Sequence, residues 1–373
     1  MKTHEKHVHE PLFHVVKRDN LPTWKAMLIR VIAVVLALLF SYLLAMLLID
    51  KVNNPVQFFK AIFEGTFRNS KTIWVFVQEL TLLLCLSLAV TPAFRMRFWN
   101  IGAEGQTLAG ALAAIAVIVY FGKTLPLWLL LILMLAAAML AGAIWAVIPA
   151  IFKAKWNTNE TLFTLMMNYV ATFTVDLCLR LWQKNSLGNV TNNSMTSLAE
   201  GRFPEVLDKA FLPALIVVAL AVVVFIYLNY TKHGYEISVV GESENTARYI
   251  GIRVDKVIVR TMMVSGAICG VAGFLIASAF NHSIAVDSVG GLGFTAIMAS
   301  WLAKFNPLAM IGSSAFIVFL NKGGDEMTTV FNTNDSLPNT IIGIVLFFLI
   351  GCEFFIGYRL KFRKFGKKGG NKQ

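Results

Sequence analysis

Charge is what this sequence has least of. Only 14% of its 373 residues are Asp, Glu, Lys or Arg, while 57% are hydrophobic. Soluble domains average about 25% charged residues, so the composition excludes a soluble globular enzyme and a disordered chain. Cysteine is scarce as well. Cys85, Cys178, Cys269 and Cys352 each sit in an apolar stretch, with no CxxC or Cys/His cluster, which argues against a disulfide scaffold and structural zinc. No HExxH or GxSxG pattern is present. Gly122-Lys123-Thr124 resembles the end of a phosphate-binding loop, but the first glycine of that motif would fall on Val117. No segment can therefore cradle ATP, and the chain carries no catalytic set of its own.

What the sequence has in abundance is long apolar runs, with a mean hydropathy of +0.67. Uncharged stretches of about 20 residues read as membrane helices. Ten candidate spans follow: 31–49, 72–90, 101–121, 127–149, 159–181, 211–230, 257–280, 288–302, 307–320 and 338–357. Their connections alternate in basic content. The N-terminus, 91–100, 150–158, 231–256, 303–306 and the C-terminal tail together hold 22 of the 33 Lys and Arg. By the positive-inside rule these segments face the cytoplasm, and an even span count puts both termini there. The net charge of +12 is thus a topology signal and an attraction to anionic lipid, densest at Arg359, Lys361, Arg363, Lys364, Lys367 and Lys368; it does not indicate nucleic-acid binding. Residues 1–30 read as a disordered or interfacial lead-in with no cleavage site. They include His4, His7, His9 and His14. The expected organisation is this cytoplasmic segment, a membrane domain over 31–357 and a basic tail over 358–373.

Two spans depart from simple cylinders. One opens with Asn100-Ile101-Gly102-Ala103-Glu104-Gly105-Gln106, the other with Gly290-Gly291-Leu292-Gly293-Phe294. Residues 292–302 would reach only about 16 Å as a helix, half the hydrocarbon thickness, so this element is a half-helix or re-entrant. The two breaks stand at corresponding positions in spans 2–5 and 7–10, which begin on opposite sides. The expectation is an all-α polytopic fold with about ten helices, two inverted repeats and broken helices at the repeat interface. Gly266, Gly270 and Gly273 read as a close helix-packing seam.

Polar residues inside the spans are costly and therefore informative. They include Gln78, Glu79, Glu104, Gln106, Glu160, Thr164 and Asn168. Glu160, Thr164 and Asn168 share one helix face. Asn168 can line a pathway or bond a neighbouring helix, and Glu104 can tie the broken helix to backbone donors. Asp176 and Arg180 read as an i,i+4 ion pair, and Glu353 as snorkelling or pairing with the basic tail. The interior has neither a cluster of Arg or Lys nor a chain of carboxylates, which favours a small neutral polar solute.

The largest inner loop, 231–256, can form a short helix N-capped by Ser243 and closed by Gly251. Three segments resemble the permeases of nucleoside and simple-sugar ABC importers that work with Bmp-type lipoproteins. They are Trp99–Gln106 (the family's FNIGAEGQ, with Trp99 for Phe), Asn159-Glu160-Thr161 through Asn168-Tyr169, and Gly234-Tyr235-Glu236 through Gly251-Ile252. Asn245-Thr246-Ala247 replaces an EAA-like triplet. The resemblance extends over about residues 25–360.

It implies a multi-pass subunit of a bacterial cytoplasmic membrane that pairs with a second permease, most simply as a heterodimer. It further implies a cytoplasmic ATPase that binds ATP–Mg and an extracytoplasmic substrate-binding lipoprotein; the chain itself would bind no cofactor. A nucleoside is the favoured cargo and a ribose- or galactose-like sugar the alternative. A stand-alone secondary transporter is the rival of a different class. The resemblance and the polar pattern nominate Asn100, Glu104, Gln106, Glu160, Thr164, Asn168 and Phe294 for the solute pathway. They nominate Gly241, Glu242, Glu244, Asn245, Thr246, Ala247, Arg248 and Gly251 for coupling to the ATPase.

Overall fold

A computed structural model describes residues 13–17, 22–48, 52, 54–182, 200–333 and 336–362. The elements in chain order begin with β1 (Phe13–Lys17), α1 (Thr23–Leu48), α2 (Pro55–Phe67), α3 (Ser70–Arg95), α4 (Ala103–Phe121) and α5 (Leu127–Trp156). There follow α6 (Glu160–Trp182), α7 (Phe211–Tyr230), α8 (Lys232–Glu242), α9 (Glu244–Tyr249) and α10 (Val254–Leu275), which a π-helical turn extends to Phe280. The chain continues through α11 (Leu292–Leu302), α12 (Pro307–Phe331), α13 (Ser336–Gly357) and β2 (Tyr358–Phe362). Among the described residues, eight helices are long and apolar enough to cross a membrane, and the fold is that of an all-α polytopic membrane protein.

The elements form two compact units, Met1–Phe58 with Thr328–Gln373, and Phe59–Met327. In the first, α1 lies along α13. Arg30 grips Glu353 at 2.6 Å, so Glu353 pairs across to the first helix; the tail beyond residue 362, its other expected partner, lies outside the described residues. Polar and apolar residues alternate in Tyr358–Phe362, a pattern of period 2 that favours a strand. β2 pairs antiparallel with β1, from Phe13 opposite Phe362 to Lys17 opposite Tyr358. Part of the expected lead-in is therefore ordered as a strand. His4, His7, His9 and the tail beyond residue 362 lie outside the described residues.

The second unit carries the site. Asn69 and Thr72 form a reciprocal capping box that starts α3. The helix ends where Arg97 turns to positive φ and the Phe98 amide reaches back to the Ala93 carbonyl at 2.9 Å, a closure of Schellman type. The glycine seam behaves as expected. A Cβ on Gly266 would meet the Gly142 carbonyl, and one on Gly270 the Ala138 carbonyl, so α5 and α10 approach backbone to backbone. Helix α3 also packs on α11 while α10 packs on α4, the exchanged pairing expected of two inverted repeats.

The basic segments collect at one end of this unit. Phe305 stacks on Phe94 with centroids 6.0 Å apart, Gly241 abuts the Arg95 backbone, and Lys155 and Asp255 line one cavity. At the opposite end the Phe203 amide donates to the Ser278 carbonyl at 2.9 Å.

Candidate 288–302 is helical over Leu292–Leu302, about 16 Å long, as the half-helix reading expects. One span assignment changes and one helix is new. Candidate 307–320 continues to Phe331 as α12, because Lys322, Asp325 and Glu326 find partners inside the fold. Helix α2 was not expected at all; it lies in what reads from the sequence as an outer loop.

Candidate functional site

The break between α3 and α4 sends Phe98–Gly102 through the fold without helical hydrogen bonds of its own. Its backbone groups need partners, since a buried unpaired amide costs about 1–3 kcal/mol. Short backbone bonds meet part of this need, with the Asn100 amide on the Phe98 carbonyl at 2.9 Å and the Ile101 amide on the Trp99 carbonyl at 3.1 Å, and side chains add to them. Asn168 of α6 accepts from the Gly105 amide at 2.8 Å and donates to the Ile101 carbonyl at 2.9 Å. Thr164, one turn earlier, accepts from the Ile101 amide at 3.2 Å and donates to the Glu160 carbonyl at 2.8 Å.

Asn100 folds back on its own segment. Its carboxamide pairs face to face with that of Gln106, at 3.0 and 3.3 Å. It also accepts from the Gly102 amide at 3.1 Å and donates to Ser265 of α10 at 3.2 Å. Gly102 and Gly105 admit this packing: a Cβ on Gly105 would stand 2.9 Å from the Asn168 Cα.

The two glycine-rich breaks meet. Glu104, in the first turn of α4, accepts from the Gly291 amide at 3.0 Å. A Cβ on Gly293 would stand 2.9 Å from the Glu104 nitrogen. Gly290 and Gly291 both take positive φ, +57° and +78°, a conformation that glycine adopts readily. The N-termini of α4 and α11 thus converge on one carboxylate, whose charge their dipoles favour. This junction lies one α11 length, about 16 Å, from the basic end. Phe294 is 43% exposed beside it.

The seven nominated pathway residues therefore divide. Asn100, Gln106, Thr164 and Asn168 are buried and engaged with one another, backbone and Ser265. Glu160 pairs with Lys153 at 3.0 Å, toward the basic end. Glu104 is half-buried and Phe294 exposed. The sequence reading missed Ser265, whose serine looks unremarkable among the small residues of α10.

The nominated coupling segment forms α8 and α9. Ser243 caps α9 by accepting from the Thr246 amide at 3.2 Å, and Gly251 closes it at φ +86°, with the Ile252 amide on the Ala247 carbonyl at 2.9 Å. Glu242, Glu244, Asn245, Thr246, Arg248 and Gly251 are exposed; Gly241 and Ala247 are buried. Tyr249 stands 94% exposed. Helix α8 is fixed from beneath: a Cβ on Gly241 would strike the Arg95 carbonyl, and one on Gly234 the Leu228 carbonyl. Glu236 pairs with Arg260 of α10 at 2.6 Å. The sequence shows Arg260 as an isolated charge within a span and gives no sign of its partner.

Comparison with known proteins follows the same lines. Residues 72–350 match the family described as branched-chain amino acid transport system/permease component. The chain is 29% identical to the glucose ABC transporter permease protein TsgB13 of Haloferax volcanii, over 92% of each chain. It is 27% identical to the guanosine ABC transporter permease protein NupP of Bacillus subtilis, over 92% of this chain and 98% of that one. A second guanosine permease protein of that bacterium, NupQ, matches at 28% over 59% of this chain. The chain belongs to the permease-component family of branched-chain amino acid-type transport systems.

Proposed function

We propose that the protein is one of two permease subunits of an ATP-driven ABC importer for nucleosides, with its basic end in the cytoplasm. A lipoprotein delivers the solute to the outer face. An ATPase, which binds ATP–Mg, docks on α9 and the exposed Tyr249. The solute site lies at mid-membrane where the N-termini of α4 and α11 converge on Glu104. That convergence is the observation that carries the reading, because it sets hydrogen-bonding backbone and a carboxylate at the repeat interface. Phe294 offers a ring face for stacking on a nucleobase. Asn100, Gln106, Thr164 and Asn168 hold the broken helix in place, and Glu160 anchors its neighbour through Lys153.

The resemblance to guanosine permeases and the lack of an interior basic cluster favour a neutral nucleoside. The glucose permease of Haloferax supports sugar as the second reading. The two differ at Phe294. Replacing it with Leu should raise the KM for nucleoside about tenfold and leave any glucose uptake unchanged. Glu104→Gln can still accept from Gly291, so it should keep the protein assembled while cutting uptake more than tenfold. Concentration-dependent uptake by the two variants in vesicles checks both. Wild-type kinetics from both variants would remove the junction as the solute site.

A further inference from the structure

A second polar cluster lies away from that junction, at the other end of the unit. Lys322, Asp325 and Glu326 share one face of α12 at i, i+3 and i+4. Lys322 contacts Glu79 of α3 at 2.5 Å and Asp325 at 2.9 Å. Arg68, between α2 and α3, contacts Glu326 at 2.9 Å. Helix α2 locks this arrangement: a Cβ on Gly65 would strike the Lys322 carbonyl, and one on Gly323 would stand 2.8 Å from the Ile62 Cα. Phe63 meets Phe319 edge-on at 5.5 Å.

The cluster is not sealed inside the protein. The Asp325 side chain is 60% exposed and that of Glu79 34%, while Lys322 is held at 17%. Glu79 is nine residues into α3, about 13 Å along the axis from its start. That depth is within the apolar layer for a helix of 26 residues. Ionised side chains at such depth face a water-filled cavity or one another, not lipid. Among the described groups of this cluster, three carboxylates stand against two cations, a net charge of −1.

We propose that the face formed by Glu79, Lys322 and Asp325 is a water-lined outer vestibule through which an uncharged, hydroxyl-rich solute enters. The inference rests on the importer reading and on the orientation given above. The Lys322 ammonium and the two carboxylates offer donors and acceptors to sugar hydroxyls and base edges. The excess of negative charge repels a phosphorylated solute, so the vestibule selects nucleosides over nucleotides.

The test is cysteine labelling of Asp325→Cys in a Cys178→Ala background, since Cys85, Cys269 and Cys352 are buried. The variant is expressed with its partner subunits and exposed from outside to a membrane-impermeant methanethiosulfonate. Rapid labelling is expected, slowed at least fivefold by saturating guanosine and not by guanosine monophosphate. Phe173→Cys, on the apolar surface of α6, serves as the lipid-facing control and should stay unlabelled. Lys322→Gln should raise the KM for guanosine at least fivefold with unchanged amounts in the membrane.

No labelling of Asp325→Cys, while Lys123→Cys in the outer loop is labelled, would overturn the vestibule and place this face against another subunit. Labelling that guanosine does not slow would overturn the solute route. Guanosine monophosphate protecting as well as guanosine would overturn the charge selection. Absence of ATP-driven uptake by the wild-type complex would instead strike the importer reading, and labelling would still report whether the face is wet.

Discussion

Asn168→Leu is expected to lose both stability and transport. Leucine fits the volume but leaves the Gly105 amide and the Ile101 carbonyl without the partners that Asn168 supplies at 2.8 and 2.9 Å. Each orphaned group costs about 1–3 kcal/mol, so the substitution should destabilise the break by about 2–6 kcal/mol. Thr164 still holds the Ile101 amide, which keeps the segment from being released altogether. Asn168→Asp should fall between, because it retains the acceptor for Gly105 and sets a carboxylate against the Ile101 carbonyl. Thermal unfolding of the purified protein and vesicle uptake read the two effects together. The Leu variant should unfold well below the wild type and take up less than a tenth as much solute. A Leu variant with wild-type unfolding and uptake would contradict the latch.

Breaking the Arg260–Glu236 pair should separate ATP hydrolysis from transport. The pair joins α8, next to α9, on which the ATPase is proposed to dock, to α10, which packs on α3, α4 and α5. Side-chain exposures of 31% and 16% set it between a surface pair, worth about 0–1 kcal/mol, and a buried one, whose breakage costs about 3–5 kcal/mol. Arg260→Met should therefore fold, but motion of α9 would no longer drive α10. Solute moved per ATP hydrolysed should drop more than tenfold in the reconstituted complex. The exchanged pair, Arg260→Glu with Glu236→Arg, should recover part of that ratio, which a purely structural defect would not. An unchanged ratio in Arg260→Met would remove this pair from the coupling route.

What the sequence discloses and what it hides follow from the range of each interaction. The breaks at Asn100–Gln106 and Gly290–Phe294, the Ser243 cap, the Asp176–Arg180 pair at 2.9 Å and the Gly266–Gly270 seam are all local patterns, and each is legible. The meeting of the two breaks at Glu104 and Gly291 joins residues 187 positions apart. Only their matching places in the two repeats hinted at it. The extension of α12 was hidden because Lys322, Asp325 and Glu326 depress hydropathy, and their compensation comes from Glu79 and Arg68 on other elements. The Arg30–Glu353 pair was hidden for the same reason: each looks like a helix-end charge until the fold brings them together. Thr164 and Asn168 were recognised as one polar face, but only the structure shows that this face serves the backbone of the neighbouring break.

The proposed function requires that this chain move nucleosides only as part of an ATP-driven complex. Its most direct test is uptake of labelled guanosine, uridine and glucose into vesicles bearing the co-expressed permeases, ATPase and lipoprotein, with and without internal ATP. Nucleoside uptake that needs both ATP and the ATPase subunit is expected, with little glucose transported. Uptake by this chain alone without ATP, or ATP-driven uptake of glucose only, would contradict it.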